Sequence, residues 1–344
     1  MSNQGRTPDE RNEKSTMQTN GVSRRRYLLG AGAATAGVTG LSGCAGVLGG
    51  SSSGSKEKIT MLLTPGTPGD LRPRYEPVVK MLNDKVDGVE VEMKVPQNYS
   101  AIKPALESEQ AEIGMDDVTL ISNPDLMDVY GTNVTDGSAF YFSLMLVPPE
   151  SDIQKRTDVK GRTWAFADRL STSGSIFALY TLQQAGLDIG DAPKGDPGDF
   201  EGSWTDHNQA IERVANGKAD GATTWGGNGI PHVAEKYESD FPERVKEKSS
   251  FLGNIGTEEP KLRPIWWSFP IPKQPWYARK SWDSSKKEEI GEVLVNSSEE
   301  KLEQYYPEDY NEDNLAFTTL RETSMETYQP VIKRMNAVGI DPAA

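Results

Sequence analysis

Cysteine, histidine and basic side chains are scarce in this chain of 344 residues. Cys44 is the only cysteine, which excludes an intrachain disulfide, and the only histidines are His207 and His232. Because a zinc site draws its ligands mainly from these two residue types, the composition argues against one. Lys and Arg total 37 against 51 Asp and Glu, and the net charge of −14 argues against binding to nucleic acid. The chain has no phosphate loop or paired-glycine dinucleotide motif, so the sequence predicts neither a metal nor a cofactor.

The amino-terminal region has the pattern of an export signal. Arginines at 24–26 precede an apolar run rich in Ala and Gly, which ends at Leu41-Ser42-Gly43-Cys44. Paired arginines before such a run are typical of a twin-arginine signal, and small residues before a cysteine resemble a lipobox. We therefore predict a signal over residues 1–43, lipidation of Cys44, and an anchor and flexible linker over residues 44–56. The body would then lie on the outer face of the cell membrane; a membrane-spanning helix is the alternative.

The rest of the chain alternates between strand-like and helix-like segments, which indicates βαβ units on a mostly parallel sheet. Two apolar runs, Ala139–Val147 and Leu262–Ile271, interrupt this alternation. Two crossings between two α/β bodies predict a two-lobed protein with a ligand cleft. We predict lobe 1 over residues 57–143 plus 268–344 and an inserted lobe 2 over residues 144–267, each a mostly parallel sheet flanked by helices and joined by two hinge crossings.

A hydroxyl-rich turn separates a strand from a helix in the second body. Thr163–Ala167 is predicted as the strand, and the spacing of Ile176, Leu179 and Tyr180 predicts the helix. Between them lies Ser171-Thr172-Ser173-Gly174-Ser175. Free amides and the positive end of the dipole at a helix start favour an anion, and hydroxyls add further donors. The simpler interpretation, that these residues only cap the helix, stays open at this point.

A series of short motifs occurs in order along the body, and their order and spacing are more specific than any single motif. They are Tyr99-Ser100-Ala101-Ile102, Glu112-Ile113-Gly114, Tyr141-Phe142-Ser143-Leu144, Asp158-Val159-Lys160-Gly161-Arg162, Ser171-Thr172-Ser173-Gly174, His207-Asn208-Gln209-Ala210-Ile211, Val214-Ala215-Asn216-Gly217-Lys218-Ala219-Asp220, Ile265-Trp266-Trp267-Ser268 and Ile271-Pro272. In these motifs the chain resembles the phosphate, phosphite and phosphonate substrate-binding proteins of ABC transporters, from about residue 58 to residue 275 and more weakly beyond.

This resemblance implies a type II periplasmic-binding-protein fold, a function in ligand capture rather than catalysis, and a permease with its ATPase subunit as partners. We expect a monomer. The acidic surplus also resembles that of haloarchaeal proteins, in composition alone, and it suits an environment of high salt.

The resemblance also implies a set of site residues. In that family the Ser-Thr-Ser turn and the amides after it hold the phosphonate oxygens, and two tyrosines and a histidine complete the shell. The corresponding ligand-binding residues are Tyr99, Tyr141, Ser171, Thr172, Ser173, Gly174 and His207. Asp220 matches a family motif too, and we expect it to be structural.

Members that bind aminophosphonates hold the ammonium group with carboxylates. Those positions fall near Gly227 and Gln274, which carry no charge. We therefore expect phosphate, phosphite or an alkylphosphonate as the ligand, unless Glu235 or Asp70 supplies a negative charge.

Two other functions are compatible with parts of the sequence. The same fold could serve as the ligand-sensing subunit of a membrane signalling system. A hydrolase using Ser173, His207 and Asp220 is the other alternative, although the Gly-x-Ser-x-Gly pattern of a nucleophile elbow is absent around Ser173.

Overall fold

Strands and helices alternate through the described part of the chain, which comprises residues 55–118, 120, 123–311, 315–323 and 325–339 of a computed structural model. The predicted signal, Cys44 and the predicted linker up to residue 54 lie outside the described residues. Within those residues, no helix has both the length and the apolar character that a bilayer crossing needs.

The strands are β1 (Glu57–Leu62), β2 (Val89–Lys94), β3 (Ile113–Met115), β4 (Met127–Val134), β5 (Phe140–Tyr141), β6 (Ser143–Val147), β7 (Thr163–Phe166), β8 (Glu201–Trp204), β9 (Gly221–Trp225), β10 (Arg263–Trp267), β11 (Ile271–Pro272), β12 (Pro275–Arg279) and β13 (Thr319–Arg321). The helices are α1 (Pro68–Lys85), α2 (Ile102–Glu107), α3 (Phe177–Gln184), α4 (His207–Ala215), α5 (Gly226–Gly229), α6 (Glu243–Lys248), α7 (Lys286–Val295), α8 (Glu299–Glu303) and α9 (Gln329–Ala337).

The first sheet has the order β13-β4-β12-β3-β1-β2 among the described residues. β1 is parallel to β2 and β3, whereas β12 is antiparallel to both β3 and β4, so β1 to β4 all run in one direction. Alternation gives the sheet a buried face: Val89 and Val91 of β2 are buried, and Glu90 and Glu92 are exposed. Val78 of α1 packs into the same core cluster. The alternation of strand and helix that the sequence predicts is therefore present in this part of the chain.

The second sheet has the order β10-β6-β9-β7-β8 within the described chain. β7 is parallel to β8 and β9, and β6 is antiparallel to β9 and β10. In both sheets most strands thus share one direction, as predicted. The antiparallel neighbours β6, β10 and β12 are the strands next to the crossings between the two sheets.

The two crossings are hydrogen-bonded to each other. β4 continues through β5 into β6, and β10 continues through β11 into β12. β5 pairs with β11, which places Tyr141 opposite Ile271. Farther along, the Ser268 amide donates to the Ser143 carbonyl at 2.9 Å, and the Ser268 hydroxyl accepts from the Ser143 amide at 2.9 Å. The connection between the lobes is therefore a paired ribbon, which keeps Tyr141 and Ser143 at fixed positions in it.

Strands β4 and β12 do not appear in the sequence-based prediction. β12 begins with Pro275, which is tolerated at the first residue of a strand because its missing N–H costs no ladder bond there. In β4 the small or polar residues Gly131, Thr132 and Asn133 mask the strand pattern. Gly131 lies under β13, where an added Cβ would come within 2.8 Å of the Arg321 carbonyl oxygen. Both strands depend on tertiary contacts that alternation alone does not indicate.

Helix α9 packs with the core of the second sheet. Val331 and Met335 are buried in the same cluster as Phe177 of α3. Just before α9, the Tyr328 hydroxyl lies 2.5 Å from that of Thr132 and donates to the Lys273 carbonyl at 3.2 Å. The carboxyl-terminal segment therefore has contacts with both sheets, and the lobe boundaries remain a prediction.

Candidate ligand-binding site

The turn between β7 and α3 is buried and is rich in hydrogen-bond donors. We call Ser171–Ser175 the oxyanion seat. Its four hydroxyl residues are at most 2% exposed. The Ser171 hydroxyl accepts a hydrogen bond from the Gly174 amide at 3.1 Å, so this serine does cap the turn. A π-helical turn over Thr172–Ile176 then leads into α3, where the sequence predicts the helix directly. The wider turn places several hydroxyls and amides on one short segment.

Gly174 is required by a close approach of three elements. A Cβ at this position would lie 2.3 Å from the Ala167 Cβ and 2.9 Å from the His207 Cε1. The Gly174 carbonyl also accepts from the Ala167 amide at 3.1 Å, which fastens the seat to the end of β7. Only a residue without a side chain lets the seat approach His207 this closely.

His207 is the first residue of α4, and its imidazole faces the seat. Asp206 caps the helix by accepting from the Gln209 amide at 2.8 Å. The His207 Nε2 lies 3.4 Å from the Ser171 hydroxyl, and its Nδ1 lies 2.9 Å from the Thr224 hydroxyl. Burial lowers the pKa of His207 to about 4, against the opposing charge of Asp206. The ring is therefore neutral at ordinary pH and carries one N–H donor.

Tyr141 reaches the seat from the hinge ribbon. It is 5% exposed, and its hydroxyl interacts electrostatically with the side chains of Thr172 and Ser173. Burial raises its pKa well above the ordinary value, and the charge of Asp117 raises it further. The phenol therefore stays protonated and can act as a donor.

Tyr99 reaches the same place from the first sheet, on a 3-10 helix that precedes α2. Burial raises its pKa well above the ordinary value, and Asp117, Asp116 and Tyr141 raise it in that order. The predicted site residues Tyr99, Tyr141, Ser171, Thr172, Ser173, Gly174 and His207 are thus brought together by elements of both sheets.

Two carboxylates that the sequence analysis missed directly follow the end of β3, and the second of them contacts the seat. We call Asp116 and Asp117 the acidic wall. The Asp117 Oδ2 accepts from the Thr172 amide at 3.2 Å, and its Oδ1 accepts from the Thr172 hydroxyl. Asp116 is 2% exposed, and among the described residues its Oδ1 has no hydrogen-bond partner. Burial raises the pKa of Asp116 well above its ordinary value, and Asp117 adds to this effect.

A third carboxylate, that of Asp168, lies where β7 meets the seat. Burial raises its pKa, while hydrogen bonds from the Leu170 and Tyr99 amides oppose the rise. The sequence analysis did not predict these carboxylates beside the seat. It considered Gly227 and Gln274, which are indeed uncharged, together with Glu235 and Asp70, which are exposed. The overlooked signal was a pair of Asp residues directly after a buried strand, because ligands of open α/β sheets bind at the carboxyl ends of strands.

Hydrogen bonds from Ser143 and Trp204 hold the seat in place. The Ser143 hydroxyl donates to the Ser173 carbonyl at 2.6 Å, so the hinge ribbon orients the middle of the turn. The Trp204 indole N–H donates to the Ser175 hydroxyl at 2.9 Å. These bonds satisfy seat groups that point away from the cleft and leave its other donors to face inward.

The triad of the alternative hydrolase hypothesis, Ser173, His207 and Asp220, does not form. Asp220 has the structural role expected of it, because its Oδ2 accepts from the Thr163 amide at 2.8 Å at the start of β7. The imidazole nitrogen that would bond to a triad carboxylate bonds to the Thr224 hydroxyl instead. Within the described part of the chain, no group of three or more His, Cys, Asp or Glu side chains could hold a metal ion.

The fold and site together define a two-lobed solute-binding protein of the type II periplasmic class. The sequence profile of the family described as "ABC transporter, phosphonate, periplasmic substrate-binding protein" matches residues 61–343. The chain belongs to this family. Membership favours a transporter component over the sensing subunit and over the hydrolase.

Solved structures share the fold at low sequence identity. A binding-protein component of an ABC phosphonate transporter from Pseudomonas aeruginosa is 17% identical, with a TM-score of 0.61 over 83% of this chain and 87% of its own. PhnD1 from Prochlorococcus marinus, solved with methylphosphonate, is 16% identical, with a TM-score of 0.60 over 83% of this chain and 99% of its own. A Xanthomonas citri protein solved with chloride is 14% identical, with a TM-score of 0.57 over 82% and 98%.

Proposed function

We propose that the protein captures a phosphorus oxyanion, namely phosphate, phosphite or an alkylphosphonate, and delivers it to a membrane permease driven by an ATPase subunit. The observation that supports this most directly is the buried oxyanion seat, where Thr172 and Ser173 lie beside Tyr141 and Ser171 faces the neutral His207. Amides, hydroxyls and a neutral imidazole suit a tetrahedral oxyanion, because each of them can donate a hydrogen bond to an oxygen of the ligand.

The proposed binding event joins the two sides of the cleft. Tyr99 comes from the first sheet, the seat from the second, and Tyr141 from the ribbon between them. An oxyanion contacting all three would favour closure of the lobes by hinge motion at the ribbon. Because short-range donors carry the interaction, we expect its affinity to depend only weakly on salt: at about 1 M salt, charges are screened within about 3 Å.

The proposed cellular setting follows from the amino-terminal sequence. We propose export by the twin-arginine route, lipidation at Cys44 and tethering of the monomeric body to the outer face of the cell membrane. The Gly- and Ser-rich residues 49–55 would act as a flexible tether between the anchor and the body. In this setting the protein binds its ligand without converting it.

A thermal-shift panel of phosphate, phosphite and methylphosphonate at multimolar salt tests the proposal. At 100 times its dissociation constant, a ligand adds about 2.7 kcal/mol to the free energy of unfolding. We expect at least one of the three to do so, and we expect Ser173→Ala to weaken its binding by about 1–3 kcal/mol. The control is Ser239→Ala, an exposed serine outside the site. Absence of any shift with all three oxyanions would contradict the proposal.

A further inference from the structure

The contact between Asp117 and Thr172 places an acceptor on donors of the oxyanion seat. The Thr172 amide and hydroxyl both donate to the Asp117 carboxylate, which joins the end of β3 to the start of the π-helical turn. An ionised carboxylate has only acceptor oxygens. The same amide and hydroxyl are among the groups that hold the ligand in the proposed function, on which this inference rests.

An oxyanion that takes up the Thr172 donors must therefore lie against the Asp117 carboxylate. Acceptors that share one amide and one hydroxyl come within a few Å of each other. Two acceptor-only groups at that distance repel, and the repulsion is strong in a buried site. A hydrogen atom between the two oxygens turns the repulsion into a short, charge-assisted hydrogen bond.

A second observation concerns Asp116, the neighbour of Asp117 in the wall. The Asp116 Oδ1 is buried and has no hydrogen-bond partner among the described residues, so a further acceptor lies beside Asp117. Tyr99 and Tyr141 each lie within electrostatic reach of Asp117. A ligand that carries its own O–H supplies a donor on the side of the cleft where carboxylates dominate.

We propose that Asp117 is a specificity-determining residue that accepts a hydrogen bond from a protonated oxygen of the ligand. The seat thereby selects hydrogen-bearing phosphorus oxyanions, such as the methylphosphonate monoanion, and rejects oxyanions of the same shape that lack a proton, such as methanesulfonate. The proton stays on the ligand oxygen, and no covalent bond forms or breaks.

The titratable groups around the seat and the acidic wall differ in the direction of their pKa shifts. Burial keeps Tyr99 and Tyr141 protonated, and His207, with its pKa lowered to about 4, stays neutral above that pH. The pKa values of Asp116 and Asp168 are raised by burial, so these two carboxyls can add their own pH dependence. Variants at Asp116 and Asp168 separate their contribution from that of the ligand proton.

Calorimetry on the full chain with methylphosphonate and methanesulfonate, from pH 5 to pH 9, tests the proposal. We expect wild type to bind methylphosphonate about 100-fold or more tightly than methanesulfonate, since an unpaired buried polar group is strongly selected against. Above the second ionisation of methylphosphonate, its affinity should fall about tenfold per pH unit, because only the monoanion binds. In Asp117→Asn the amide can either accept or donate, so the preference should shrink to under about tenfold and the pH slope should flatten.

Matched variants separate the effect of Asp117 from the effects of the other carboxylates near the seat. Asp168→Asn also removes one nearby carboxylate but leaves the bonds to Thr172 intact, and it should change the affinity for both anions by a similar factor. Asp116→Asn should keep the ligand preference and the pH slope. If melting curves show that Asp117→Asn is unfolded, Asp117→Ser replaces it, because a hydroxyl can also both donate and accept.

Three outcomes would overturn the proposal: near-equal binding of the two anions by wild type, an unchanged preference in a folded Asp117 variant, or tightest binding of 2-aminoethylphosphonate with loss of that preference in Asp117→Asn. The last result would assign Asp117 to an ammonium group instead of a shared proton. If wild type binds no phosphorus oxyanion, the proposed function fails as well. If it binds them without discriminating against the sulfonate, only this inference fails.

Discussion

The oxyanion seat presents amides and hydroxyls toward the cleft, whereas the acidic wall opposite presents carboxylates. Both segments directly follow a buried strand, β7 for the seat and β3 for the wall, and both are almost fully buried. They differ in what neutralises their polar groups: the seat is tied to His207, Ser143 and Trp204 by hydrogen bonds, while Asp116 keeps an unpartnered oxygen among the described residues. The polar groups of the seat thus have hydrogen-bond partners, whereas the wall keeps an unpaired buried acceptor among the described residues. A donor on a ligand, or a proton, can pair with that acceptor.

The largest effect is expected from a single methyl group in the seat. Gly174→Ala would place a Cβ 2.3 Å from the Ala167 Cβ and 2.9 Å from the His207 Cε1, so the turn and α4 must move apart. Overpacking of this kind costs about 1–3 kcal/mol or more in the free energy of unfolding. Because the displaced groups are the proposed ligand donors, we also expect oxyanion binding to be lost in the thermal-shift panel.

Gly69→Ala is the matched control, since a Cβ there meets nothing within 4 Å and the residue lies in helix α1. It should leave binding unchanged and stabilise the protein slightly, by about 0.4–1 kcal/mol. Normal ligand binding by Gly174→Ala would show that the seat is not where the ligand is held.

The next effect concerns the neutral histidine of the seat. Because burial lowers the pKa of His207 from 6.5 to about 4, the unfolded chain takes up a proton first as the pH falls. The stability that His207 contributes is full above pH 6.5 and is lost progressively down to about pH 4, by at most about 3 kcal/mol. Urea unfolding across this range should therefore show a smaller loss in His207→Gln than in wild type.

His232→Gln provides the comparison for that measurement. His232 is partly buried, and its Nδ1 lies 3.3 Å from the Pro260 carbonyl, away from the seat. This variant should retain the pH-dependent loss that His207 causes. Equal pH profiles for wild type and His207→Gln would mean that the imidazole is already hydrated or charged in the folded protein.

The same contrast between seat and wall explains how far the sequence could be interpreted. The seat carries a local pattern, a strand followed by hydroxyls and a helix, so residues 163–182 could be placed before the fold was known. Gly174 could be named as part of the motif, but its contact with Ala167 and His207 is tertiary and has no local signal. The π-helical turn is likewise a product of packing, since no residue type specifies it.

The sequence analysis missed the acidic wall because the role of its two carboxylates depends on the elements that pack against them. Asp116 and Asp117 follow the three-residue strand β3, and in isolation they match an ordinary solvated turn. Their burial arises because β12, which the sequence analysis did not predict, pairs beside β3 and carries Tyr277 against Gly114. Because β12 was not predicted, the burial of the two carboxylates in the site could not be predicted either.

The smallest effect is expected from neutralising the wall without touching Thr172. Asp116 carries the cost of a buried carboxyl group whose Oδ1 lacks a partner among the described residues, and the Tyr277 hydroxyl, which interacts electrostatically with Asp116, lacks one as well. Asp116→Asn removes the charge and supplies an N–H₂ group close to that hydroxyl, so we expect a gain of about 1 kcal/mol in the free energy of unfolding. Because the folded-state pKa of Asp116 is raised, the carboxyl becomes neutral in the folded protein as the pH falls, and the gain should shrink toward acidic pH.

Asp128→Asn, at an ion pair between the exposed Asp128 and Lys287, is the control and should destabilise slightly or not at all at neutral pH. Loss of stability in Asp116→Asn at neutral pH would show that this carboxylate is satisfied in solution and that the two sides of the cleft are more alike than their geometry indicates.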